Sequence, residues 1–164
     1  YRQKISVGFK AAVLVSSDST AAGTRQDKSG LIIKTRLEQF GIAAMAYKIV
    51  PDDKALIQAE LKRLVEDQVD LILTTGGTGL GPRDVTVEAV SEIIEKEVPG
   101  ITEAMRGFGQ KQTPYAMLSR GVAGLIGETL VVTLPGSSGG ASESLDAIFP
   151  YLLHAFPMMQ GGGH

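Results

Sequence analysis

Cysteine is absent from the 164-residue sequence. Its absence excludes disulfide bonds, metal sites built on thiolates and a cysteine nucleophile. A chain without disulfides fits a reducing compartment, and we expect a cytoplasmic protein. Long apolar runs are missing too, since nothing approaches the roughly 20 residues of a membrane-spanning helix. The segment from Tyr1 to Lys10 also lacks the apolar run of a secretory signal, so we expect no membrane partner.

The sequence also has no excess of basic residues. Lysine and arginine number 16 against 18 aspartates and glutamates, which gives a net charge of -2. Nucleic-acid binding needs a basic surplus that follows the phosphate backbone, so we expect no nucleic-acid partner. The length suits one compact core, and residues 1–164 are expected to form a single domain. Because the chain begins with Tyr1 rather than methionine, we interpret it as processed or as part of a longer fusion protein.

The sequence does contain a regular alternation of short apolar runs with segments of helical spacing. The runs at 9–15, 42–50 and 70–75 predict three buried strands. The helices expected between and after these strands are 31–40, the segment that follows Asp53, and about 87–96. Continuous apolar strands joined by helices predict an α/β fold with a mostly parallel sheet covered on both faces, which makes three layers, α/β/α.

The pattern changes in the last third of the chain. Val122–Ile126 and Thr129–Leu134 are apolar runs separated only by Gly127-Glu128, which predicts an antiparallel hairpin with a tight turn. A final helical face follows, and Pro150 must kink or restart that helix. The glycines at 161–163 predict a flexible tail.

The strongest local motif is TTGGTGLGPRDVT at 74–86, which leaves a predicted strand and enters a predicted helix. Glycine lets the backbone approach a ligand closely, and backbone N–H groups at a helix start attract anions. Thr86 is expected to cap the helix. The alternative is a tight connection without a ligand, but four glycines and an Arg-Asp pair are more than a turn needs.

Two aspartates fall at the predicted carboxyl edge of the sheet, where open α/β folds bind their ligands. Asp52 follows the second strand and Asp84 lies in the glycine-rich motif. Carboxylates beside a phosphate-binding loop predict magnesium. The alternative remains open that Asp52 caps the next helix and Asp84 pairs with Arg83. Other small polar segments expected at this edge are Ser16–Asp18, Asp27–Gly30 and Leu134–Ser138.

Together these motifs resemble the MoaB/Mog family. The segments that carry the resemblance, in the family's order, are SSD, DKSG, VPDD, TTGGTGLGPRDVT, LSR at 118–120 and LPGS. They span Ser16 to Ser137. The resemblance implies a three-layer α/β fold, assembly as a homotrimer or a dimer of trimers, binding of molybdopterin and, in many members, transfer of AMP from ATP.

The resemblance also implies roles for particular residues. Asp52 and Asp84 match the family's functional aspartates, and we assign them to catalysis and magnesium binding. The residues expected to bind substrate are Ser17, Asp18, Thr75, Gly76, Gly77, Thr78, Gly79, Ser119, Pro135, Gly136 and Ser137. Two features depart from the family's pattern: Val87 stands where proline is common, and Ser138-Gly139-Gly140 is unusually small.

The function expected from the sequence is molybdenum cofactor biosynthesis by a Mg²⁺-dependent molybdopterin adenylyltransferase. ATP would be the co-substrate, molybdopterin the substrate, and other proteins of the cofactor pathway the partners. The first alternative is a non-catalytic molybdopterin carrier of the same pathway. The second is a GTP-binding filament subunit, because GGTGLG is similar to the glycine loop of tubulin-like proteins, although the chain is short for that class.

Overall fold

The computed structural model describes residues 8–161, so positions 162 and 163 of the expected glycine tail lie outside the described residues. The strands are β1 Ala11–Ser16, β2 Ala44–Val50, β3 Leu71–Thr75, β4 Lys96–Glu97, β5 Ala123–Ile126 and β6 Thr129–Leu134. The helices are α1 Asp18–Ala21, α2 Ser29–Gln39, α3 Lys54–Glu66, α4 Thr86–Ser91, α5 Pro99–Gln110, α6 Ser138–Ile148 and α7 Ala155–Met159. Two 3₁₀ turns, Pro114–Leu118 and Tyr151–His154, complete the described elements.

The strands form one six-stranded sheet in the order β2-β1-β3-β6-β5-β4. The pairs β1–β2, β1–β3 and β3–β6 are parallel, whereas β5 runs antiparallel to both β6 and β4. Gly127, at a φ of 59°, turns the chain between β5 and β6. The mostly parallel sheet with an antiparallel hairpin is therefore confirmed.

Both faces of the sheet are covered, which explains why the strands lack polar alternation. On one face Val13 packs in a core with Leu37 and Leu145, from α2 and α6. On the other face Leu14 packs with Leu61 from α3 and with residues of α4. The described residues thus form three layers, α/β/α, as the sequence predicts.

The sheet topology places the loops of several strands together. Val15 of β1 is in register with Thr75 of β3, which is in register with Leu134 of β6. These parallel strands therefore end at one edge. In the sheet, β2 lies on one side of β1 and β3 lies on the other, so the direction in which strands are added reverses after β2. The boundary between β1 and β3 is therefore a topological switch point, the place where open α/β sheets bind ligands.

The structure corrects two local expectations, decides between the two alternatives at Pro150 and adds one helix. The helix expected over 87–96 ends at Ser91, and Lys96 lies in β4 because it pairs with Leu125 of β5. Pro150 restarts the last helix rather than kinking it, since α6 ends two residues earlier. The region 16–30 is not only loop, because it contains α1 and the first turn of α2. Helix α5, an amphipathic helix with a proline in its first turn, is not among the sequence predictions.

The capping of α4 also differs from the prediction. Val85 occupies the cap position without a side-chain hydrogen bond, and Thr86 is the first helical residue. The Thr86 side chain is fully buried and its Oγ1 lies 2.9 Å from Ser16 Oγ. Thr86 therefore ties α4 to the loop after β1 instead of capping the helix.

The two-sided core generates a stability prediction on α3. Leu61 is fully buried, whereas Leu56 on the same helix is 48% exposed. Leu61→Ala is expected to lower the free energy of unfolding by about 2–5 kcal/mol, because it leaves a cavity between helix and sheet. Leu56→Ala is the matched control and should cost far less. Chemical denaturation of both variants checks this, and equal losses would contradict the assignment of the core.

Candidate active site at the carboxyl edge of the sheet

The glycine-rich motif makes its sharpest turn directly after β3. Gly76 and Gly77 have φ angles of 98° and 72°, which side chains rarely adopt. A Cβ on Gly76 would lie 2.2 Å from the Ser16 carbonyl oxygen, and one on Gly77 would lie 2.1 Å from Thr86 Oγ1. The turn therefore requires glycine at both positions, and it packs directly against the loop after β1 and the start of α4.

Several backbone donors of this turn remain unused by the protein. Gly76 N–H donates to the Leu134 carbonyl at 3.1 Å. Among the described residues, the N–H groups of Gly77, Thr78 and Gly79 have no acceptor. Unused N–H groups in a glycine turn are the usual means of binding a phosphate, as the sequence predicts for this loop.

A second glycine-containing loop lies against the first. A Cβ on Gly136 would be 3.1 Å from the Gly76 Cα, so the loops after β3 and β6 touch through their backbones. Thr75 Oγ1 donates to the Pro135 carbonyl at 2.7 Å and links the same two loops. Ser137 caps α6 by accepting from Gly140 N at 3.0 Å. The start of α6 therefore joins the glycine turn in one site.

Asp52 and Asp18 are held by reciprocal hydrogen bonds between the loops after β1 and β2. Asp18 N–H donates to Asp52 Oδ2 at 3.0 Å, and Asp52 N–H donates to Asp18 Oδ1 at 2.9 Å. Ser16 Oγ donates to Asp52 Oδ1 at 2.9 Å. Both carboxylate oxygens of Asp52 thus accept one hydrogen bond each, which fixes the orientation of the side chain.

The structural alternatives for the two aspartates are wrong. Asp53, not Asp52, caps α3, since its side chain accepts from Leu56 N at 3.0 Å. Arg83 pairs with Asp18 rather than with Asp84, through Nε and Nη2 contacts of 3.0 Å each. These local roles therefore do not account for Asp52 and Asp84.

Asp84 keeps an available carboxylate oxygen. Its Oδ2 accepts from Gly81 N at 2.7 Å, and its Oδ1 has no partner in the described part of the chain. Asp52 and Asp84 line the same cleft, which has a volume of about 370 Å³. Other residues around this cleft include Ser16, Ser17, Ser29, Thr75, Gly76, Gly77, Gly136, Ser137 and Ser138.

The cleft also has a basic wall, formed by residues that were not predicted from the sequence to be part of the site. Arg25, Gln26 and Lys28, just before and at the cap position of α2, line the same cleft as the two aspartates. Neither Arg25 nor Lys28 has an acidic partner within residues 8–161. The available signal was Arg25, two residues before the DKSG motif, together with Lys28 within it. They add two positive charges to a cleft that also contains Asp52 and Asp84.

A second cavity of about 300 Å³ adjoins the cleft and shares Ser137 with it. It is lined by side chains of mixed character, among them Met105, Arg106, Tyr115, Ser119, Pro135 and Ser144. The structure thus divides the substrate-binding residues expected from sequence. Ser119 and Pro135 belong to the second cavity and most others to the cleft. Asp18, Thr78 and Gly79 line neither of these two cavities.

The donor set at the cleft fits a magnesium ion. Mg²⁺ in phosphate-transfer sites takes one or two carboxylates and completes its shell with water and substrate phosphates. Asp52 and Asp84 supply such oxygens, and Oδ1 of Asp84 accepts nothing else in the described part of the chain. Residues 8–161 contain no cluster of three or more acidic, histidine or cysteine side chains that could hold a metal ion.

Comparison with known proteins identifies the family. A family model described as "Probable molybdopterin binding domain" matches residues 12–154. The chain belongs to the MoaB/Mog family. The crystal structure of the molybdopterin biosynthesis enzyme MoaB from Thermus thermophilus is 46% identical, with a TM-score of 0.88 over 93% of this chain and 97% of that one. The filament-subunit alternative is therefore wrong, because the likeness extends far beyond the glycine loop.

Curated relatives of this family differ in length. The molybdopterin adenylyltransferase of Helicobacter pylori J99 is 36% identical over 91% of this chain and 86% of its own. A molybdenum cofactor biosynthesis bifunctional protein of Chlorobaculum tepidum is 43% identical over 94% of this chain, but only 50% of that protein is covered. The chain thus spans about half the length of that bifunctional relative. Within residues 8–161, no helix is long and apolar enough to cross a bilayer.

The backbone contact at Gly76 generates a prediction about the turn. Gly76→Ala should lower the free energy of unfolding by about 1–3 kcal/mol, because its φ of 98° and the nearby Ser16 carbonyl both oppose a side chain. Gly107→Ala in α5, where a Cβ meets nothing within 4 Å, is the control. It should stabilise by roughly 0.5–1 kcal/mol. Thermal or chemical denaturation gives both values, and a neutral Gly76→Ala would show that the turn relaxes freely.

The Arg83–Asp18 pair predicts a pH effect. Hydrogen bonding from Arg83 holds the pKa of Asp18 below its ordinary value of 3.8. Because the folded-state pKa is depressed, the stabilisation from this pair is present above the ordinary pKa and lost as pH falls through the lowered one. Carboxyl-carbon NMR titration should show the Asp18 pKa rising toward 3.8 in Arg83→Gln but not in Arg63→Gln. An unchanged titration would exclude the pair in solution.

Proposed function

We propose that this chain is a molybdopterin adenylyltransferase of molybdenum cofactor biosynthesis. The observation that carries the proposal is one cleft in which Asp52 and Asp84 face a glycine turn with unused N–H groups and a basic wall. A polyanion with a bound cation suits that arrangement. The named activity of the Helicobacter pylori relative supports the reaction. ATP is the proposed co-substrate and Mg²⁺ the proposed metal.

The reaction transfers AMP to the terminal phosphate of molybdopterin. An oxygen of that phosphate attacks the α-phosphorus of ATP, and the bond to the leaving pyrophosphate breaks. A phosphate monoester has a second pKa of about 6 and is largely dianionic at neutral pH, so the nucleophile needs little help from a base. The larger obstacle is the repulsion between two polyanions. The site's work is therefore charge neutralisation and in-line positioning.

Each wall of the cleft has its part in this positioning. Asp52 and Asp84 would hold Mg²⁺, which when bound neutralises phosphate charge. The N–H group of Gly77, which lines the cleft, would bind a phosphate oxygen without a cost of reorganisation, because the turn is already fixed. Arg25 and Lys28 supply the positive charge that a leaving pyrophosphate requires.

The second cavity suits the pterin end of molybdopterin. Tyr115 and Met105 offer apolar surface, while Arg106 and Ser119 offer polar groups for ring heteroatoms. Ser137 lies at the boundary of both cavities, at the cap of α6. A molybdopterin with its ring in this cavity would thus present its terminal phosphate to the cleft, where ATP is expected.

We further propose the setting in which the enzyme works. The expected assembly is a homotrimer or a dimer of trimers in the cytoplasm, alongside other proteins of the cofactor pathway. Residues 1–164 are proposed to fold as one domain. The half-length match to the bifunctional relative supports the interpretation that this domain belongs to a longer fusion protein.

Replacement of Asp84 by asparagine tests the reaction. Asp84→Asn keeps the shape of the side chain but removes the charge that holds the metal. Transfer of AMP should fall on the order of a hundredfold or more, comparable to the loss of one major electrostatic element. Binding of molybdopterin should survive, because backbone N–H groups hold its phosphate. Mass spectrometry of the adenylylated pterin and a separate binding assay measure the two effects.

A neighbouring substitution provides the control. Asp53→Asn lies beside Asp52 but keeps the helix cap, since asparagine caps as well as aspartate, and it should transfer AMP at the wild-type rate. Asp84→Asn at full rate would refute the metal assignment. If the wild-type protein binds molybdopterin but never adenylylates it, the enzyme proposal is wrong and the carrier alternative is supported.

A further inference from the structure

Arg120 lies behind the glycine-rich motif and lines neither the cleft nor the second cavity. Its backbone N–H donates to the Thr78 carbonyl at 2.9 Å. Its side chain donates from Nε to the Gly79 carbonyl at 2.8 Å and from Nη2 to the Asp84 carbonyl at 3.0 Å. A single residue is therefore bonded to both ends of the segment 79–84.

Glu88 fixes the orientation of this guanidinium from the first turn of α4. Arg120 Nη1 donates to Glu88 Oε2 at 2.6 Å, and Nη2 lies 3.2 Å from Oε1, which makes a bidentate ion pair. Hydrogen bonding from Arg120 holds the pKa of Glu88 below its ordinary 4.5, so the carboxylate is charged at neutral pH. Of the basic side chains, only arginine has a rigid, planar group with enough N–H donors to bind a carboxylate and two carbonyl oxygens at once.

The base of the motif does not depend on Arg120. Gly76 N–H bonds to Leu134, and Thr86 N–H bonds to the Gly77 carbonyl at 3.2 Å. Between these anchors, the segment 79–84 is otherwise held by the exposed Arg83–Asp18 pair and by bonds between Gly81 and Asp84. Loss of the guanidinium should therefore loosen this segment and the Asp84 carboxylate without unfolding the sheet.

We propose that Arg120 is a positioning residue for adenylyl transfer: it holds Asp84 at the place where the cleft needs its carboxylate. The proposal rests on the proposed function. Because Arg120 lines neither cavity, its side chain would act through the two carbonyls that it binds. Its loss should thus weaken the use of Mg²⁺ while leaving molybdopterin binding intact.

The test compares Arg120→Lys with wild type and with Arg63→Lys, which alters an exposed ion-paired arginine on α3. Lysine keeps the charge but cannot reach Glu88 and both carbonyls with one planar group. We expect kcat to fall on the order of tenfold, since misplacement by one ångström can cost a hundredfold. The Mg²⁺ concentration for half-maximal rate should rise, and excess Mg²⁺ should restore much of the rate. The Kd for molybdopterin should stay within about twofold, and Arg63→Lys should match wild type.

Amide hydrogen exchange reports the same effect without turnover. In Arg120→Lys, the amides of Gly81 and Asp84 should exchange faster while those of β3 stay protected. If Arg120→Lys does not fold, Glu88→Gln provides the second variant, because it removes the carboxylate that orients the guanidinium. It should show the same shift in Mg²⁺ dependence to a smaller degree.

The outcomes separate the two proposals. If the wild type is active and a folded Arg120→Lys variant has the same Mg²⁺ dependence, the role proposed for Arg120 is wrong and the proposed function stands. If the rate of Arg120→Lys falls only in proportion to the fraction of folded protein, and its Mg²⁺ dependence equals that of wild type, the positioning role is also wrong. Arg120 would then have a structural role only. A wild-type protein without adenylyl transfer would overturn the proposed function itself.

Discussion

The site depends first on how closely the loops after β1 and β3 approach each other. Their strands are neighbours in register, and Gly76 lies so near the Ser16 carbonyl that a single Cβ would collide with it. That approach brings Thr86 to the Ser16 hydroxyl, and the same hydroxyl donates to Asp52. The glycine turn, the start of α4 and the loop after β2 are thus assembled around one serine.

The charged side chains near the site fall into two sets: some form salt bridges within the protein, and others line the cleft without a salt bridge. Arg83 neutralises Asp18, and Arg120 neutralises Glu88, on the outside of the cleft. In the described part of the chain, neither Asp52 and Asp84 nor Arg25 and Lys28, which all line the cleft, form a salt bridge. Unpaired groups of both signs in one cleft fit a polyanion that carries a divalent cation better than they fit either alone.

The sequence predicts every described strand of the sheet except β4, because continuous apolar runs and a two-residue turn are local signals, whereas Lys96–Glu97 is short and charged. It predicts the site's aspartates through the family resemblance. Local patterns cannot show which of two adjacent aspartates caps α3, since both fit the start of a helix, or that Arg83 reaches Asp18 across 65 positions rather than its neighbour. The basic wall is missed for the same reason: Arg25 and Lys28 resemble ordinary exposed residues until the fold places them at the cleft.

The two departures from the family pattern have physical explanations that leave the chemistry intact. Val87, in place of proline, packs against the core layer between the sheet and α3, so its side chain contributes burial. At Gly140, a Cβ would lie 2.6 Å from Ser137 Oγ, the atom that caps α6. A larger residue there would displace the serine shared by both cavities. Glycine at position 140 is therefore a condition for Ser137 to cap α6 at the boundary of the two cavities.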